Sequence, residues 1–267
     1  MNRLFQPETA ASSFSTAAGP LDRLRALLAD FSVIPYENLT KIVKFARQGG
    51  TDPREILRLP GEVFEDHERY GLGGTCFSLT HALKSLLDPL GFSSSYITAD
   101  MKTGRNVHCA LIVKIGRVDY LADPGYLFSE PLALSHERRT SGASQKFTFA
   151  RLDYREGRWN LLTFHPSAGM RWRYSFTDDP VTEEDFFRYW RDSFFAKSMN
   201  HLCISRVSEN RQAFFAGDFM RVTTPQSKTN INVKRDPQKK IREVFGINEK
   251  IYFEAREALE SLRSAKA

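Results

Sequence analysis

The chain has 267 residues, 41% hydrophobic and 12% aromatic, enough to bury a sizeable core and to divide into two or three subdomains. Its formal net charge of +6 attracts anions, but no finger or aromatic RNA-binding run accompanies the charge, so a nucleic-acid partner is not expected. Three cysteines cannot close a disulfide framework and none stands at zinc-ligand spacing from another, so a reducing, cytoplasmic setting without a metal is expected.

Met1 to Pro20 are rich in Ser, Ala and Thr without a charged start and apolar core, and no signal peptide is expected. No apolar run approaches the roughly 18 residues of a membrane span, so the chain reads as soluble, with no membrane partner. From Pro20 the pattern is helical. Leu21, Leu24, Leu27, Leu28 and Phe31 form one stripe, Lys41 to Gln48 suggest a second helix, and Pro60 suits the first turn of a third. A fourth helix runs from Thr75 to Leu90, with Leu79, Leu83, Leu86, Leu87 and Leu90 at steps of three and four.

Short strands follow. Tyr96 to Ala99, Val107 to Ile115, Val118 to Asp123, Gln145 to Tyr154 and Trp159 to Phe164 carry β-type patterns, and their spacing predicts a small antiparallel barrel or curled sheet. Thr182 then caps a helix bearing Phe186, Phe187, Tyr189, Trp190 and Phe194. Strands are expected over His201 to Val207, Gln212 to Phe215 and Phe219 to Thr223. Asn248 opens a last helix with Ile251, Tyr252, Ala255, Ala258, Leu259 and Leu262 on one face. The fold class is therefore α+β: a helical bundle over 1–90, an antiparallel β-barrel over 91–180 and an α/β region over 181–267.

The chemistry concentrates at three residues. Cys76, in Gly71-Leu-Gly-Gly-Thr-Cys-Phe77, falls in the first turn of the fourth helix, where free N–H groups and the helix dipole favour a thiolate. Gly73 and Gly74 let another backbone or a substrate come close. Gly116-Arg117 is a two-residue loop with Gly first, as a type II′ turn prefers, and it fixes the pairing of the strands it joins. If Ile115 faces Val118, then Ile112 faces Leu121 and Ala110 faces Asp123. His108 then lies diagonal to Asp123 on one sheet face, with Cα atoms roughly 7–8 Å apart. A nucleophile, a base and an orienting carboxylate are the parts of a Cys-His-Asp triad.

Several segments resemble the arylamine N-acetyltransferase family. Ile34-Pro-Tyr-Glu-Asn-Leu39 is similar to its Pro-Phe-Glu-Asn-Leu segment, Gly73-Gly-Thr-Cys-Phe77 to its Arg-Gly-Gly-x-Cys-Phe motif, and Tyr120-Leu-Ala-Asp-Pro-Gly-Tyr126 to its Leu-Val-Asp-Val-Gly-Phe run. Thr103-Gly-Arg-Asn-Val-His108, Met199-Asn-His-Leu-Cys-Ile-Ser-Arg206 and Ile241-Arg-Glu-Val-Phe-Gly-Ile247 extend the resemblance from about Leu21 to Ile247. It implies a cysteine-protease-like core with the last region as a lid. It also implies ping-pong transfer of an acetyl group from acetyl-CoA, through a Cys76 thioester, to an arylamine or hydrazine. Cys76 would be the nucleophile, His108 its base and Asp123 the orienter, with Thr103 and Gly104 near the CoA diphosphate. Tyr36, Tyr126 and Phe128 would offer flat walls to the amine.

The sequence departs from the family pattern at Leu72, where an Arg is usual, at Pro124, and at Leu127, where a Gly commonly follows the aromatic. An amide synthase taking its acyl chain from a carrier protein therefore stays open. So do a papain-like or transglutaminase-like hydrolase and, more remotely, a non-catalytic binding protein. The basic stretch Lys234 to Arg242 reads as a solvated loop and helix face, with donor phosphates or nucleic acid as alternatives. His81 sits five residues beyond Cys76, off its helical face. Cys109 points away from His108 on its strand, Cys203 lies in an apolar strand, and His67, His136, His165 and His201 show no partner pattern.

Overall fold

A computed structural model describes residues 19–48, 54–165, 169–208, 211–224 and 226–265. Most of the Ser/Ala/Thr-rich N-terminal stretch lies outside them. Helix α1 spans Pro20–Phe31, with Pro20 in its first turn and Leu24, Leu27, Leu28 and Phe31 buried. Helices α2 (Leu39–Gln48), α3 (Pro60–Tyr70) and α4 (Cys76–Leu87) follow. The expected stripe supplies the buried face of α4, with Leu79, Leu83, Leu86 and Leu87 buried beside Phe77, although the helix ends at Leu87 rather than Leu90.

An eight-stranded antiparallel sheet comes next, in the order β5-β4-β3-β2-β9-β8-β7-β6. Its strands are β2 (Ser93–Met101), β3 (Gly104–Ile115), β4 (Val118–Ala122), β5 (Leu132–Leu134), β6 (Thr140–Ser144), β7 (Phe149–Arg155), β8 (Arg158–His165) and β9 (Gly169–Phe176). The outer strands β5 and β6 meet where Ser141 Oγ donates to the Ala133 carbonyl, so the sheet nearly closes into a barrel. A core of Ile97, Ala110, Ile112, Leu121, Leu152, Trp159 and Tyr174 fills its inside. Strand β3 serves two cores. Ala110 and Ile112 face the barrel interior, while Cys109, Leu111 and Val113 join the larger core beneath the helices. That double coverage explains its unbroken run of buried residues.

The β3–β4 register is the expected one: Ile115 faces Val118, Lys114 faces Asp119 and Ile112 faces Leu121. Strands β5, β6 and β9 had not been singled out, and the strand expected from Gln145 begins at Phe149, because Gln145 turns and donates its N–H to the Thr148 carbonyl. The β6 sequence Thr-Ser-Gly-Ala-Ser has no apolar side to read.

Helix α5 (Glu183–Asp192) is capped by Thr182, whose hydroxyl accepts from the Asp185 N–H at 3.1 Å. Strand β1 (Tyr36–Glu37) belongs to a second antiparallel sheet, ordered β1-β10-β11-β12-β13, with β10 (Cys203–Ser208), β11 (Arg211–Ala216), β12 (Phe219–Thr223) and β13 (Lys228–Asn232). Strand β13, Lys-Thr-Asn-Ile-Asn, was not legible as a strand for the same reason as β6. Helices α6 (Pro237–Phe245) and α7 (Glu249–Ser264) end the described chain. Tyr252, Ala255 and Leu259 of α7 are buried, and Arg47 of α2 pairs with Glu254 at 3.0 Å. Among the described residues no helix is long and apolar enough to cross a membrane.

Candidate active site

Cys76 is the first residue of α4, and the loop before it is held from two sides. Glu37 N donates to the Gly74 carbonyl at 3.0 Å, and Gly74 N donates to the Pro35 carbonyl at 3.3 Å. Arg58, 5% exposed, gives one hydrogen bond to the Gly73 carbonyl at 3.0 Å and an ion pair to Asp66 at 2.9 Å. A Cβ on Gly73 would fall 1.9 Å from the Pro35 oxygen, so only glycine permits this crossing of two backbones. Leu72, where an Arg was expected from the family pattern, is buried instead. The guanidinium touching the loop arrives from Arg58.

The Pro-Tyr-Glu-Asn segment braces this loop against distant chain. Asn38 Nδ2 donates to the carbonyls of Ser198 and His201 at 3.0 and 2.8 Å, and its Oδ1 accepts from Cys203 N at 2.8 Å. Glu37, fully buried, accepts from Thr40 N at 3.0 Å and from its hydroxyl at 2.5 Å, which satisfies the first turn of α2.

His108 leaves β3 toward Cys76. Asp123 follows the last residue of β4 and caps a short 3₁₀ turn, Pro124–Tyr126, by accepting from Tyr126 N at 3.0 Å. Its other oxygen accepts from His108 Nε2 at 2.9 Å and from the Tyr174 hydroxyl at 2.6 Å. With Nε2 engaged, Nδ1 is the ring nitrogen left for the Cys76 sulfur, to which His108 is hydrogen-bonded. All three residues are buried: Cys76 8%, His108 4% and Asp123 0% exposed. Gly125 is wedged against the pair; a Cβ there would sit 2.8 Å from Cys76 Cβ and 2.9 Å from His108 Cε1.

The electrostatics follow from these contacts. A hydrogen bond from the Cys109 thiol holds the Cys76 thiol well below its ordinary pKa; burial opposes this, while the hydrogen bond and charge of His108 and the charge of Lys41 reinforce it. Burial disfavours a charge on His108, but the Asp123 carboxylate and the Cys76 sulfur outweigh it and raise its pKa to about 10. Burial and the neighbouring Cys76 push Cys109 up, so it stays a protonated donor. Both shifts favour the charged form of each partner, thiolate on Cys76 and imidazolium on His108.

The site lines a cavity of about 870 Å³. Tyr36, Tyr126 and Phe128 lie on its wall, as does Thr103, an exposed residue of the β2–β3 turn. Gly104 is adjacent to Thr103 but not itself on the wall. The Tyr126 ring stands edge-on to His108 with centroids 5.2 Å apart.

Other features were not legible from sequence. Tyr174 lies 51 residues beyond Asp123, and its only signal was the alternation Trp172, Tyr174, Phe176. Cys109 is buried, as expected; its thiol lies within reach of both the Thr80 hydroxyl, at 3.5 Å, and the Cys76 sulfur whose pKa it lowers. Lys41, Arg171, Arg173, Lys197, Arg221 and Lys228 all line the cavity, and among the described residues no Asp or Glu does. They come from separate elements, so no local charge run announced them. The run that did stand out, Lys234 to Arg242, is absent from the wall; Lys240 pairs with Glu243 and Arg242 with Glu249, as suits a solvated face. His165, His201 and Cys203 also line the cavity, with Cys203 pushed up by burial to about 12. His81 bonds the Tyr96 hydroxyl at 2.6 Å, His136 bonds Asp178 at 2.7 Å and His67 meets the Leu72 carbonyl at 3.0 Å.

A cysteine with a lowered pKa at a helix start, beside a carboxylate-held imidazole on the wall of a large cavity, is equipment for acyl transfer or hydrolysis by a cysteine nucleophile. The comparisons narrow the class. The profile of the N-acetyltransferase family matches residues 20–252, and the chain belongs to this family of arylamine N-acetyltransferases. Its fold is similar to that of the Mycobacterium marinum arylamine N-acetyltransferase, with a TM-score of 0.76 at 17% identity over 97% of this chain and 98% of the other. The Mycobacterium smegmatis enzyme gives 0.74 at 20% identity over 96% and 98%, and the Salmonella typhimurium enzyme 0.70 at 18% over 98% and 99%. Comparison with curated proteins by sequence gave no match.

Proposed function

We propose that this N-acetyltransferase moves an acetyl group from acetyl-CoA to the nitrogen of an arylamine or hydrazine by way of a Cys76 thioester. The observation that carries this reading is the hydrogen-bonded line from Cys76 through His108 to Asp123, at a helix start and on the wall of a large cavity. The Cys76 thiolate attacks the carbonyl carbon of the donor thioester, and as that carbonyl bond to the CoA sulfur breaks, His108 gives its Nδ1 proton to the departing thiolate. The amine nitrogen then attacks the acetyl-enzyme. The nitrogen–carbon bond forms, Cys76 leaves as thiolate, and His108 takes the proton that the nitrogen sheds. Asp123 keeps the imidazole aimed and its charge balanced throughout.

Among the described residues, six Lys and Arg side chains and no carboxylate line the wall, which supports a donor carrying several phosphates, with Thr103 and Gly104 on the path to them. Tyr36, Tyr126 and Phe128 offer flat apolar faces to an aromatic acceptor. We read residues 1–90 as the bundle bearing the nucleophile, 91–180 as the barrel bearing base and orienter, and 181–267 as a lid. Phe195, Met199, Phe214 and Arg221 from that last region complete the cavity wall and support the lid reading. Three free cysteines support a reducing, cytoplasmic setting.

The test is intact mass after brief incubation with acetyl-CoA. A gain of about 42 Da on the wild type and none on Cys76→Ala is the expected result, as a covalent acetyl-enzyme requires. No gain with Cys76 still alkylated by iodoacetamide points to another thioester donor, such as a carrier protein. An inert Cys76 overturns the reading.

A further inference from the structure

Lys41 is a buried cation whose charge adds only the last and smallest of the influences that lower the Cys76 thiol, and the acyl-transfer steps above give it no other part. It is 4% exposed, projects from α2 onto the wall of the reaction cavity, and shares that wall with Cys76, Tyr36 and Ser193. Its ammonium donates to the Ser193 hydroxyl at 2.6 Å and to the Ser193 carbonyl at 3.0 Å, and it stands 4.2 Å from the centroid of the Phe194 ring. Those partners are neutral. The nearest carboxylate in sequence, Glu37, is spent on Thr40, and among the described residues no Asp or Glu lines the cavity.

An ammonium removed from water without an anion costs several kcal/mol and is retained where something charged is to meet it. Two of its three N–H donors are held by Ser193, which fixes the group in place, and one is left over. The cost is visible in the protein: burial lowers the Lys41 pKa to about 8, opposed in part by the neighbouring Cys76. His108 already serves the sulfur directly, so the thiolate has its cation.

We propose that Lys41 is a specificity residue that receives a carboxylate carried by a substrate bound at Cys76, on either the acyl group or the amine. The inference rests on the acyl-transfer reading and adds to it a preferred substrate chemistry. A carboxylate entering the cavity would take the free N–H of a pre-positioned ammonium in a desolvated site, where a charge-assisted hydrogen bond is strong.

Two matched pairs separate the sources. On the donor side, succinyl-CoA is compared with butyryl-CoA; on the acceptor side, 4-aminobenzoate is compared with 4-aminobenzamide. In one of these pairs the ratio of kcat/KM for the carboxylate member to that for the neutral member is expected to fall roughly 10- to 100-fold in Lys41→Met, as loss of a hydrogen bond to a charged group implies, any effect of the lost charge on Cys76 being common to both members. Equal losses for charged and neutral members, or no loss in either pair, would overturn the proposal. A second measurement needs no turnover. Benzoate and succinate should protect wild-type Cys76 from iodoacetamide at lower concentration than benzamide and succinamide, and Lys41→Gln should erase the difference. Equal protection in the wild type, or a preference that survives in Lys41→Gln, counts against it. Because the neutral substrates report acyl transfer alone, their failure would fall on the proposed function and not on Lys41.

Discussion

Asp123 accepts three hydrogen bonds, and each sets one aspect of the site: Tyr126 N fixes the turn, Tyr174 fixes the carboxylate plane, and His108 receives the benefit. Because the His108 pKa is raised above the ordinary value near 6.5, its protonated form stabilises the fold fully below about pH 6.5, and that contribution is lost as pH rises through about 10. The depressed Cys76 pKa has the opposite sense, its contribution being lost as pH falls through the folded value. Alkylation of Cys76 by iodoacetamide should therefore vary little between about pH 7 and 9, whereas an ordinary thiol accelerates roughly tenfold per unit below about 8.5. In Asp123→Asn the rate at pH 7 should drop and the steep profile return; a flat profile in the variant would remove Asp123 from this role. Gly125 gives a steric counterpart. Gly125→Ala puts a methyl against both Cys76 and His108, and kcat should fall about 100-fold or more, as misplacement by an ångström implies, with the circular dichroism spectrum unchanged.

At the scale of elements, the pieces that were legible in the sequence are those whose geometry is local. The α4 stripe put Cys76 in a first turn, and a two-residue loop fixed the β3–β4 register and with it the His108 to Asp123 diagonal. Strands β6 and β13 were missed because neither alternates, and Tyr174, Lys41 and Cys109 acquire their roles only through contacts that no spacing announces. Leu127 shows where a family pattern and physics part. It takes the left-handed conformation, φ +56°, that a glycine would hold without strain, yet its side chain is 5% exposed within the larger core. Relief of about 1–2 kcal/mol of backbone strain in Leu127→Gly is outweighed by loss of about 2–5 kcal/mol of packing, so urea unfolding should show a net loss of stability. A gain would mean that the strain dominates.

For the whole molecule, the site is assembled from three regions whose contacts are long in sequence. Asn38 spans 160 to 165 residues with its three hydrogen bonds. Asn38→Ala removes three part-buried hydrogen bonds to the backbone of Ser198, His201 and Cys203 and should cost about 1–3 kcal/mol in a denaturant titration. Acetylation of Cys76 should weaken along with it, because the Cys76 loop leans on the same segment. A destabilised variant with unimpaired acetylation would separate the brace from the site.

Strand β1 contributes only Tyr36 and Glu37 to the five-stranded sheet, and it borrows its partners, Ser205 and Ile204, from the far end of the chain. Synthesis delivers those partners late. At roughly 5–20 residues per second, the ribosome takes on the order of 10–30 seconds between making Tyr36 and making Ser205. Throughout that interval the segment bracing the nucleophile's loop lacks its strand partners, so the support of the site is completed only when the later sheet pairs with β1.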